Sequence, residues 1–172
     1  MSTNTTALLI VDMQTGLFHL PEPVYQGEAL RATIRRIHTR ADAAQIPTIY
    51  VQHNTGGELD GTPAWEIHPD LAPRTGEPVI QKYTPDAFYE TSLLALLDER
   101  SIRTLVLTGF ATDYCIDTTC RQAWSRGYRV TLVKGGHSTR PSPLLAAPQI
   151  IAHHEHILQP FVTLVGEDEL AF

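Results

Sequence analysis

Residues 7–11, Ala-Leu-Leu-Ile-Val, contain no polar side chain and run straight into Asp12. A strand with one face in water alternates polar and apolar residues. An unbroken apolar run needs both faces covered, as in a parallel sheet packed between helices. Further strands read at 46–51, an apolar, β-rich run entered through Pro47 where a missing N–H is tolerable, and at 79–82, 102–107, 128–133 and 161–165. Between these runs the spacing is helical. Over 28–45, Leu30, Ile34, Ile37, Ala41 and Ala44 fall at alternating steps of four and three, the stripe of an amphipathic helix. A leucine-rich helix follows at 91–100, a third at 114–126 closed by Gly127, and a fourth at 144–157. Strands alternating with helices predict an α/β fold, a three-layer α/β/α sandwich around a mainly parallel sheet of about six strands. The 172 residues show no repeat or linker and fit one domain, 1–172.

Charge narrows the partners. With 13 Lys and Arg against 19 Asp and Glu, a net charge of -6 argues against nucleic acid or an anionic membrane. No run approaches the ~18 apolar residues of a membrane span. Residues 1–6 are polar and uncharged, unlike an export signal. Cys115 and Cys120, five apart in one predicted helix, point to different faces, which argues against a disulfide. Free thiols without an export signal predict a reducing, cytoplasmic location.

Sites in open parallel sheets lie beyond the C-terminal strand ends. Asp12 follows the first strand, Lys82 closes the third, and Cys115 follows the fourth after a tight turn at Gly109. Together they offer a base, a cation and a nucleophile. Each also has an ordinary role, as a turn aspartate, a solvated lysine or a small buried hydrophobe. At the start of the predicted helix, unpaired N–H groups would draw the Cys115 pKa from about 8.5 towards 7 or below. The irregular stretch 53–78, rich in Gly and Pro, is either a lid or a binding loop. Phe18, Trp65, Phe88 and Tyr114 lie near the strand ends as candidate walls of a small-molecule pocket, although aromatics equally fill cores.

Three motifs in register carry a resemblance. Leu8-Leu9-Ile10-Val11-Asp12-Met13-Gln14, then Lys82-Tyr83-x-x-Asp86-Ala87-Phe88, then Thr108-Gly109-x-Ala111-Thr112-Asp113-Tyr114-Cys115 with Gly127-Tyr128-x-Val130, resemble the isochorismatase-like cysteine hydrolases. That superfamily includes nicotinamidase, N-carbamoylsarcosine amidase and ureide-cleaving amidases. The match runs from about residue 7 to 165. It implies Asp12 as general base, Lys82 as its cationic partner and Cys115 as nucleophile. It further implies an oxyanion hole from the Ala111 and Cys115 N–H groups, a cis Phe110–Ala111 peptide, and a homodimer or larger homo-oligomer to which the apolar stretch 146–151 contributes.

The departures are informative. Nicotinamidases of this family bind a divalent metal through an Asp-x-His pair after the second strand and a further His. Here those positions read His53 and Thr55, and His68 does not restore the spacing. Neither a metal nor any other cofactor is therefore expected. The stretch 61–69, Gly-Thr-Pro-Ala-Trp-Glu-Ile-His-Pro, resembles the non-nicotinamidase branch. His153, His154 and His156 on the last predicted helix cannot all face one point and read as surface residues. Cys120 reads as core. True isochorismatases lack the nucleophilic cysteine, so the reading is a hydrolase cleaving a small amide, ureide or related C–N bond through an acyl-enzyme. Its rivals are a vinyl-ether hydrolase using Asp12 with Cys115 incidental, and a redox or binding protein without turnover.

Overall fold

The computed structural model describes residues 5–22 and 24–172. Met1–Asn4, most of the stretch read above for an export signal, and Pro23 in the first loop lie outside the described residues. Six strands, β1 (Thr6–Val11), β2 (Thr48–His53), β3 (Val79–Lys82), β4 (Thr104–Phe110), β5 (Arg129–Ser138) and β6 (Thr163–Val165), form one sheet. Its order is β3-β2-β1-β4-β5-β6, and every neighbouring pair is parallel. Four helices, α1 (Gly27–Ala43), α2 (Leu93–Glu99), α3 (Asp117–Ser125) and α4 (Ala147–Leu158), cover its two faces.

The apolar run of β1 accounts for the layering. Side chains alternate across a strand, so Leu8 and Ile10 meet Leu30, Ile34, Ile37 and Ala41 of α1 on one face. Ala7, Leu9 and Val11 meet Leu93 and Leu97 of α2, Cys120 and Ala123 of α3, and Leu158 of α4 on the other. All five are 0% exposed, and each fully buried Leu, Ile or Val contributes about 1.5–3 kcal/mol. The ends of the helices depart from the periodicity. Gln45 turns at φ +55, so α1 stops at Ala43 and Ala44 is exposed. The last helix begins at Ala147, because Pro141 and Pro143 keep the preceding stretch irregular. Within 146–151, Ala147 and Ile150 turn inward and are buried. Among the described residues, no helix is long and apolar enough to cross a membrane.

From β1 the chain moves to β2 on one side, while β4 flanks the other, which opens a crevice at the C-terminal ends of β1 and β4. There Val11 pairs with Gly109, whose φ is +126. A Cβ on Gly109 would stand 2.0 Å from the Val11 carbonyl oxygen, so only glycine lets the two strands close. Gly109→Ala is expected to cost about 2–4 kcal/mol through combined strain and clash. A urea midpoint equal to wild type would contradict this.

Candidate active site

Asp12 is the first residue beyond β1. Its N–H donates to the Val51 carbonyl at 2.8 Å, and its φ of +52 turns the chain sharply. Aspartate tolerates this left-handed conformation better than most residues. Lys82, the last residue of β3, sits in register with His53 at the end of β2 and is 0% exposed. Its Nζ lies 2.7 Å from Asp12 Oδ2, 2.9 Å from His53 Nδ1 and 3.1 Å from Cys115 Sγ. An ammonium has three hydrogens and no lone pair, so these three acceptors use all of it. The second Asp12 oxygen, Oδ1, is buried without a hydrogen-bond partner among the described residues. It is the acceptor left for the thiol hydrogen.

The turn that carries Cys115 differs from the expected helix start. The Phe110–Ala111 peptide is cis, as the resemblance implied. Thr112–Ile116 then forms a π-helical turn, in which the Ile116 N–H donates to the Ala111 carbonyl at 3.0 Å, and α3 begins only at Asp117. The thiol is not activated in the way its position in sequence predicts. Burial pushes the Cys115 pKa up to about 12, and the Asp12 charge adds to the rise while Lys82 opposes it. The resting group is a thiol, so nucleophilicity depends on a base that removes its proton. Cys120 is a buried free thiol in the core, as its spacing indicated.

A cavity of about 700 Å³ opens over this cluster, with Asp12, His53, Ala111 and Cys115 on its wall. Two of the four aromatics expected to line it do so, Trp65 and Tyr114. The other two do not. Phe88 is buried in the core, stacked on Tyr128 at 6.0 Å with Arg126 over its ring. Phe18 packs edge-on against His68 at 5.2 Å under Arg31. Both lie close to a strand end in sequence but turn away from the crevice.

The stretch 53–78 is a fixed wall. Gln14 pins it, with Nε2 donating to the His53 and Trp65 carbonyls and Oε1 accepting from the His53 N–H, each at 3.0 Å. Further N–H donations run from Gly16 to Ala64, from Thr15 to Glu66 and from His68 to Met13. Trp65 Nε1 donates to Asn54 Oδ1 at 2.7 Å. Gln14 and His53 are the site residues that sequence reasoning missed. Gln14 stood inside the first motif, and His53 was weighed only as an altered metal ligand.

The metal of the nicotinamidases does not fit here. Asp12, His53 and Cys115 bring donor atoms within 4.8 Å of one another, but the Lys82 ammonium already binds all three. Thr55 is held by Asp60, and His68 Nδ1 accepts from the Asp70 N–H. A divalent ion would have to displace a buried cation. His154 pairs with Asp117 at 3.2 Å, while His153 and His156 are exposed.

Comparison with known proteins identifies the family. Residues 6–147 match the Isochorismatase domain family. A crystal structure of an isochorismatase from Pseudomonas putida superposes with a TM-score of 0.92 at 30% identity, covering 99% of this chain and 92% of that one. A secreted isochorismatase effector of Verticillium dahliae is 30% identical over 98% of this chain and 92% of its own length. A streptothricin hydrolase of Streptomyces noursei is 34% identical over 84% of this chain and 52% of its own. A ureidoacrylate amidohydrolase of Methylorubrum extorquens is 36% identical over 61% of this chain and 43% of its own. The chain thus spans about half the length of the last two. With the domain matched over most of its residues and the fold matched end to end, the chain belongs to the isochorismatase family of hydrolases.

Proposed function

We propose that the chain hydrolyses a C–N bond of a small amide or ureide through an acyl-enzyme on Cys115. The observation that carries this reading is the Lys82 ammonium between Asp12 Oδ2 and Cys115 Sγ, beside an Asp12 oxygen without a partner among the described residues. In the first step Sγ attacks the carbonyl carbon while Asp12 takes the thiol proton. The tetrahedral oxyanion is received by the Ala111 and Cys115 N–H groups. Protonated Asp12 returns its proton to the leaving nitrogen, the C–N bond breaks, and a thioester remains. Water then attacks with Asp12 as base, releasing the carboxylic acid and restoring the thiol. Lys82 holds the Asp12 carboxylate in place and balances its charge throughout.

The cavity wall speaks against the vinyl-ether rival, whose substrate is carboxylated. None of the lining residues is an arginine or a free lysine. Arg140 is nearby, over the Phe110 ring at 5.3 Å, but is not part of the wall. A carboxylate buried here would lack a cation. The ureidoacrylate amidohydrolase among the relatives adds support for C–N chemistry. A panel of small neutral amides with ammonia detection, coupled to mass spectrometry for an acyl adduct on Cys115, tests the proposal. Turnover without any adduct on rapid quenching, or no turnover with any amide or ureide, defeats it.

Two accompanying proposals have their own checks. Activity should survive exhaustive chelation, because the metal pair of the nicotinamidases is replaced by His53 and Thr55; loss with EDTA and recovery with zinc would refute this. The protein should work as a homodimer or larger assembly in a reducing compartment, supported by its family and its two free thiols. Light scattering that returns a single 19.1 kDa chain at micromolar concentration would rule out the assembly.

A further inference from the structure

We infer that His53 determines specificity, its neutral imidazole donating Nε2–H to a hydrogen-bond acceptor that the substrate carries beside its scissile carbonyl. The inference rests on the proposed amide hydrolysis at the same site. It begins with proton bookkeeping. The Lys82 ammonium can only donate, so its 2.9 Å contact with His53 Nδ1 requires a lone pair on that nitrogen. A neutral ring with a lone pair on Nδ1 carries its hydrogen on Nε2. An imidazolium would set an N–H against the ammonium. Burial first, and the Lys82 charge second, push the His53 pKa below its usual value.

The ring is also held in position. His53 ends β2, its backbone N–H and carbonyl are both held by Gln14, and Nδ1 is held by Lys82. Nε2 has no partner among the described residues, and the residue lines the cavity. Of the other polar side chains on the wall, Gln14 is committed to backbone, Thr55 to Asp60 and Asp12 Oδ2 to Lys82, while His19 is exposed. Tyr83 and Tyr114 stand exposed at the rim. A neutral imidazole is too weak an acid to protonate a leaving amine, which leaves Nε2–H as a directional donor. Once a ligand expels water from apolar walls such as Leu17, Trp65 and Phe110, an unmatched N–H is costly. The site therefore favours amides with a carbonyl oxygen or ring nitrogen close to the scissile group over isosteres with a C–H there.

Two measurements independent of turnover test this. Long-range ¹H–¹⁵N NMR of wild type at neutral pH, assigned with His53→Gln, should show the neutral Nε2–H tautomer; an imidazolium or an Nδ1–H tautomer overturns the inference. Cys115→Ser, which keeps an acceptor for Lys82, should then be titrated with benzamide, picolinamide, nicotinamide and isonicotinamide. At least one aza-amide should bind about fivefold or more tighter than benzamide, the scale of one neutral hydrogen bond. The preference should fall below about twofold when His53→Phe is added. Equal binding of the four, absence of binding by all of them, or a preference that survives His53→Phe overturns it. Selective binding without hydrolysis of any amide would sink the proposed activity and leave the recognition role of His53 standing.

Discussion

Cys115→Ala is expected to abolish hydrolysis while the protein stays folded, with turnover lower by a factor on the order of 10⁶. The thiol sits on the wall of the cavity, with Lys82 at 3.1 Å and the Asp12 carboxylate at hand, and no other nucleophile occupies that point. Cys120, the second thiol, is 0% exposed on the core face of α3 and cannot substitute. The structural loss is small, one sulfur and one acceptor for the Lys82 ammonium, worth about 1 kcal/mol. Because burial holds the resting Cys115 as a thiol, the same logic makes Asp12→Asn nearly as damaging: an amide cannot take the proton. Purified Cys115→Ala with more than a few per cent of wild-type turnover, or Asp12→Asn with an unchanged pH–rate profile, would refute the covalent, base-assisted mechanism.

What the sequence made legible, and what it hid, follows from the range of the forces involved. Local periodicity is enough to read β1 and α1, since a strand buried on both faces and a helix buried on one announce themselves in composition. Asp12, Lys82 and Cys115 were legible as polar groups at the ends of apolar runs, which is where a parallel sheet opens. Their joint use was expected too, but not the contact of Lys82 with His53, because Lys82 stands on the edge strand β3 with His53 beside it in register. That pairing is a property of strand order. The direction of the Cys115 pKa was misread for a related reason. The helix-start argument counts nearby N–H groups, whereas burial, with the Asp12 charge beside it, pushes the pKa up. Phe88 illustrates the same limit. Its position near a strand end suggests a pocket wall, yet the chain turns it onto Tyr128, far away in sequence. The loop 53–78 looked structureless because much of its order comes from distant partners, the Gln14 side chain and the backbone of residues 13–16.

Lys82→Met is expected to be the most destabilising change at the site and to reduce hydrolysis to background. Methionine nearly matches the volume of the aliphatic stem and leaves the Asp12 carboxylate buried without its cation. One Asp12 oxygen already lacks a partner among the described residues, and the other loses its contact at 2.7 Å. Breaking a buried pair by removing one member costs about 3–5 kcal/mol, much of it the desolvation of the charge left behind. Removing both charges should therefore repair the fold. Asp12→Asn combined with Lys82→Met should recover most of the lost stability while turnover stays at background, since neither base nor cation remains. The coupling between the two positions in urea denaturation should reach about 2 kcal/mol or more, well above the few tenths expected for independent sites. Additive stabilities would mean that the pair is not an energetic unit. Activity retained by Lys82→Met would mean that Asp12 works without the cation beside it.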